Sequence, residues 1–101
     1  MEVIVNKKFG GASLSEKAME VLLSLPEFNN LNDEERFELQ YLSSNSLRTN
    51  KTIIDLIKSM GDESNGVSAK LVIANIPDGV EWAIYDYDGM ETIERPRVIY
   101  A

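Results

Sequence analysis

Apolar and polar residues alternate over 67–74, where Val67, Ala69, Leu71 and Ile73 interleave with Ser68, Lys70, Val72 and Ala74. Period two is the mark of a strand with one face more buried than the other. Pro77-Asp78-Gly79 follows as a turn, since proline fixes φ and glycine accepts a positive one. Val80, Trp82 and Ile84 then alternate with Glu81, Ala83 and Tyr85 in a second strand. Asp88-Gly89 reads as a two-residue I′ hairpin loop, with 90–94 the returning strand. The pattern predicts three consecutive antiparallel strands over 65–94. Trp82, on the face of Val80 and Ile84, is expected to be buried against the helix that carries Val21 and Leu22.

Upstream, residues 2–6 (EVIVN) read as a short strand. A helix is predicted from Leu14, with Ser13 as N-cap and Glu16 completing a capping box. Its apolar stripe is Ala18, Val21, Leu22 and Leu25, and Pro26 ends it. Residues 27–35 form a polar loop. Phe37, Leu39 and Tyr41 alternate with Glu38 and Gln40, so a short strand is expected there, with a helix capped by Asn32 and Glu35 as its competitor over 33–43. A connector over 43–50 holds Arg48. A second helix is expected over 51–60, capped by Asn50, with Ile53, Ile54 and Ile57 facing the core and Gly61 as its stop. Pro96 demotes any strand continuing past the hairpin to an edge. The resulting order, β-α-β-α-β-β-β, is an α+β domain with two helices packed on one face of a mostly antiparallel sheet.

The length of 101 residues fits a single domain over 1–101, large enough to bury about 65% of its unfolded surface. Neither cysteine nor histidine occurs, which excludes disulfides and removes the commonest metal ligand and general base. No apolar run is long enough to span a membrane, and Lys7 and Lys8 follow the first apolar run, unlike a signal peptide. A cytoplasmic protein without cofactor or metal is expected. The formal charge of −7 argues against DNA or RNA as a partner. It serves solubility, or it makes an acidic decoy for a basic groove on a defence nuclease.

Two segments invite a ligand. KKFGGAS places Gly10 and Gly11 between a strand and a helix, which makes either an anion-binding corner or only a tight turn. The tail ERPRVIYA flanks Pro96 with Arg95 and Arg97, either a solvated terminus or a fork for an anionic group. Catalysis has little to work with. Lys7, Lys8 and Ser13 have no fixed geometry, and Asp86, Asp88 and Glu91 sit at a hairpin where acidic residues are expected for turn reasons.

The segments IVNKKFGGASLS, MGDESNG and IPDGVEWAIYDYDGMETI resemble a family of small phage-encoded proteins, the first-described Thoeris anti-defence family. The resemblance covers most of the chain outside 27–47, and its most specific parts are IPDGVEW and YDG. It implies a non-enzymatic sponge that holds a cyclic ADP-ribose isomer unhydrolysed between protomers of a homo-oligomer, either a dimer or an assembly of dimers. Cyclic oligonucleotides are a further implied ligand. The candidate ligand-binding residues are Phe9, Gly10, Gly11, Ser13, Arg48, Asn65, Asp88, Arg95 and Arg97. This chain departs from the family pattern at Ala12, where relatives carry an aromatic, and at Asn50-Lys51, where they carry Asp-Pro. It departs again around Arg97, where they carry His-Arg-Thr-Trp. Arg97 keeps its place, and Phe9 is the nearest ring left to stack on adenine.

Each arginine–phosphate contact is worth about 1.5–3 kcal/mol and a base stacked on Phe9 about 1–3 kcal/mol. Asn65 is suited to reading a base or ribose edge. Nanomolar capture needs about −12 kcal/mol, which favours a site shared by two chains.

Overall fold

The computed structural model describes residues 1–94 of the chain. Its order is β1 (Glu2–Asn6), α1 (Glu16–Leu23), α2 (Asp33–Gln40), α3 (Asn45–Arg48), α4 (Lys51–Met60), a 3-10 turn (Gly61–Ser64), β2 (Leu71–Asn75), β3 (Ala83–Tyr87) and β4 (Met90–Glu94). The fold is α+β, with helices and antiparallel strands around one apolar core. That core joins Ile4 of β1, Ala18 and Leu22 of α1, Leu39 of α2, and Ile53, Ile54 and Ile57 of α4. Asn50 caps α4 as expected, its side chain accepting from the Ile53 N–H at 3.1 Å.

Several expectations are corrected. The strands do not form one three-stranded unit. β2 pairs with β1 from Glu2↔Asn75 to Asn6↔Leu71, and β3 pairs only with β4. The β1–β2 ladder runs on beyond the strands, where the Ile76 N–H donates to Met1 O at 2.8 Å. With β2 committed to β1, Pro77–Val80 turns the chain away instead of folding it back as a hairpin, the Val80 N–H reaching Pro77 O at 3.4 Å. Trp82, just before β3, is accordingly half-buried and stands outside the apolar core, and Val21 is itself exposed.

Residues 33–40 are a helix, not a strand. The Glu35 N–H donates to Asn32 Oδ1 at 2.8 Å and the Asn32 N–H donates to Glu35 Oε1 at 3.1 Å. This reciprocal capping box, with Asp33, Glu34 and Glu35 at the positive end of the helix dipole, outweighs a short apolar alternation. The expected connector over 43–50 also contains a single helical turn, α3, capped by Ser44.

The first helix begins later than expected, with Ser15 and not Ser13 as N-cap. Residues 13–15 are held extended by the other side of a loop. The Gly66 N–H donates to Ser13 O, the Ser15 N–H donates to Ser64 O, and Leu14 bridges Asn65. The helix starts only where these bonds stop.

The Asp88-Gly89 loop has positive φ at both residues, 50° and 93°, as a I′ turn requires. It is pressed against the Gly-Gly loop. The Gly10 N–H donates to Asp88 O at 2.9 Å, and a Cβ built on Gly89 falls 2.1 Å from Gly11 N. Gly89→Ala is therefore expected to destabilise the protein by more than about 2 kcal/mol. Gly79→Ala, where φ is also positive but a Cβ meets nothing within 4 Å, is expected to cost about 1–2 kcal/mol. Urea unfolding of the two variants measures the difference, and equal losses would mean that the two loops are not in contact.

Candidate functional site: a polar cleft beside a buried ion pair

Arg48 ends α3 inside the protein, 7% exposed. Its Nε donates to Leu42 O at 2.6 Å and its Nη1 to Ile4 O at 3.2 Å. Nη1 and Nη2 also grip the two oxygens of Glu91, the Nη2–Oε2 distance being 2.8 Å. Glu91, on β4 and 4% exposed, accepts a further bond from the Asn6 N–H at 2.8 Å. A two-pronged, dry pair with carbonyls on the remaining donors satisfies both charges within the protein. Arg48 therefore holds the hairpin to the body, its hydrogen bonds spent within the protein.

Asn6 completes this junction. It is fully buried, and its Nδ2 donates to Gly89 O and Lys8 O while its Oδ1 accepts from the Lys70 N–H at 2.8 Å. One side chain thus ties the hairpin loop, the segment after β1 and the approach to β2. Lys7 adds a bond from Nζ to Glu91 O at 2.7 Å.

The other expected residues divide between two places. Phe9, Gly10, Gly11 and Asp88 gather at the hairpin tip, where Phe9 meets Tyr87 edge to face with centroids 6.4 Å apart. Gly10, Ser13 and Asn65 share the wall of an open cleft of about 910 Å³. Gly10 alone belongs to both. Arg95 and Arg97 lie outside the described residues.

The extended pairing of residues 13–15 with 64–66 builds the floor of this cleft, and the start of α1 and the end of α2 flank it. Ser13, Ser15, Ser68, Gln40, Tyr41 and Asn65 line it, the Ser15 hydroxyl already donating to Glu63 O at 2.6 Å and accepting from the Ala18 N–H at 3.1 Å. Asn65 Oδ1 accepts from the Leu71 N–H at 2.8 Å, and among the described residues its Nδ2 has no acceptor. Glu16, Lys17 and Glu20 supply the charge, and Lys17 Nζ is already paired with Glu63 at 3.1 Å. The cleft is thus a neutral-to-acidic, hydrogen-bonding surface suited to hydroxyls and base edges.

Tyr41 is the cleft residue sequence reasoning misplaced, having assigned it to a strand. The capping box at Asn32 was the signal for a helix that ends at this residue. Glu91 as the partner of Arg48 carried no local signal, since 43 residues separate them. Among the described residues no group of three or more acidic side chains is arranged to hold a metal ion, and no helix is long and apolar enough to cross a membrane. No family model, curated protein or solved structure matches the chain.

Arg48→Ala is expected to cost about 3–5 kcal/mol in urea unfolding, because Glu91 is left buried and unpaired. The double variant Arg48→Ala/Glu91→Ala should lose much less than the sum of the two single variants. An unchanged unfolding midpoint for Arg48→Ala would return this arginine to the ligand-binding set.

Proposed function

We propose that this protein captures a cyclic nucleotide signal, a cyclic ADP-ribose isomer, and holds it without degrading it. On this reading it is a phage anti-defence protein of the Thoeris type, acting in the host cytoplasm. The observation that carries the proposal is the cleft itself. Gly10 and Ser13 of the first loop and Asn65 far along the chain, all named from the sequence as ligand-binding residues, line one open cavity. Its volume of about 910 Å³ suits a dinucleotide-sized ligand. Serine hydroxyls and the Asn65 amide match riboses and a base edge, and the partly exposed Tyr41 ring offers a stacking face.

Glu16 and Glu20 repel phosphates within the cleft, so the proposal assigns the phosphate charge to Arg95 and Arg97. A site completed by a second protomer fits the affinity required. Exposed Phe9, Tyr85 and Tyr87 on and beside the hairpin supply an aromatic surface for that self-association.

Calorimetry with a cyclic ADP-ribose isomer tests the proposal, with mass spectrometry of the ligand recovered afterwards. Tyr41→Ala and Arg97→Ala are each expected to weaken binding roughly ten- to hundred-fold while leaving the melting temperature nearly unchanged. Absence of binding heat at micromolar concentration, or recovery of a hydrolysed ligand, would overturn it. Sedimentation with ligand present should show a dimer or larger assembly.

A further inference from the structure

We propose that the groove between α1 and α2 docks a basic, apolar-anchored helical segment of a partner protein. Glu16, Met19, Glu20 and Leu23 stand at i, i+3, i+4 and i+7 along α1 and form one wall. Asp33, Arg36, Phe37 and Gln40 repeat the same spacing along α2 and form the other. Each set is a single helix face, so two helical stripes flank an open groove of about 500 Å³. An amphipathic helix is the element that fits between stripes of this period.

The fold does not account for Phe37. α2 buries only Leu39, yet its Phe37 ring is 63% exposed and rests on Tyr41 with centroids 4.6 Å apart. A large apolar ring at the rim of a partly apolar groove, on a helix that is otherwise acidic, is placed to receive an apolar anchor.

Charge selects the partner. Glu16, Glu20 and Asp33 face Arg36 alone, and none of the three carboxylates joins an ion pair among the described residues. α2 adds Glu34, Glu35 and Glu38 nearby. This field attracts lysine and arginine, and it repels nucleic acid. The groove is distinct from the polar cleft in its aromatic anchor, although Glu16, Glu20 and Gln40 border both.

The probe is a short acetylated, amidated helical peptide of lysine and alanine bearing a tryptophan and two leucines at i, i+4 spacing. Its counterpart with glutamate for lysine is the control. Fluorescence anisotropy should show saturable binding of the basic peptide only, lost as salt rises from about 50 to 500 mM. Phe37→Ser should weaken it about ten-fold or more, and Asp33→Lys several-fold, with both melts near that of the parent protein. Should Phe37→Ser fail to fold, the surface change Asp33→Lys decides. No saturable binding, equal binding of the acidic peptide, or unchanged affinity in a folded variant would overturn the proposal. So would sedimentation showing a dimer that Phe37→Ser dissociates, because a second copy would then cover the groove.

Discussion

The pairing of Arg48 with Glu91 is the junction on which the arrangement of the other parts depends. β3 and β4 form only a two-stranded hairpin, too small to be stable by itself. Most of its side chains are exposed, so little apolar burial attaches it to the body. Directed polar contacts do that work instead: Arg48 and the Asn6 N–H on Glu91, Asn6 Nδ2 on Gly89, and the Gly10 N–H on Asp88. Hydrophobic contact is non-directional, whereas a bidentate guanidinium fixes the orientation of what it holds. The hairpin is therefore set at one angle against the Gly-Gly loop, and this loop leads directly into the wall of the cleft.

The cleft has a different physical basis. Ser13, Leu14 and Ser15 are kept extended by backbone bonds to the 64–66 segment, and that delay in helix formation leaves the start of α1 open to solvent. In the structure the Ser15 N–H is paired with Ser64 O and the Leu14 N–H with Gln40 O, groups that the first turn of a helix beginning at Leu14 could not have satisfied internally. Glu16 and Glu20 among its lining residues make the cleft a poor place for an unaccompanied anion. Exposed apolar surface stands instead at the neighbouring α1–α2 groove, where Phe37 is located. Two adjacent concavities thus differ in kind, one hydrogen-bonding and one apolar with an acidic rim.

Much of this was legible in the residues wherever the signal was local. α4 announced itself through Asn50, three isoleucines on one face and Gly61, and the I′ loop through Asp88-Gly89. The strand read over 37–41 was misjudged because the spacing of Phe37 and Tyr41 satisfies both periods, being i, i+4 on a helix and same-face on a strand. Only the reciprocal cap at Asn32 and Glu35 separates the two. Strand pairing was harder. β2 has no sequence mark that prefers β1 over β3, since pairing is decided by which partner also completes the core. Arg48 looked like a ligand-binding arginine for the same reason: its carboxylate lies on a strand far along the chain. Of the expected site, Gly10, Ser13 and Asn65 were found together, while Arg48 proved to be internal.

The first strand of this protein is completed by the last part of the chain. β1 bonds to β2 across sequence separations of 65 to 73, and Asn6 reaches Glu91 across a separation of 85. During synthesis, β1 leaves the ribosome with four core or junction residues, Val3 to Asn6, and no partner for any of them. The helices can form early from local contacts, but the ladder on β1 and the polar junction wait until the C-terminal third is made. Pairing over so long a separation makes the β1–β2 ladder and the polar junction the last parts of the described fold to be completed. A copy interrupted before Glu91 would keep its helical segments but lack the returning strand of the hairpin, leaving Arg48 and the Asn6 N–H without their carboxylate partner.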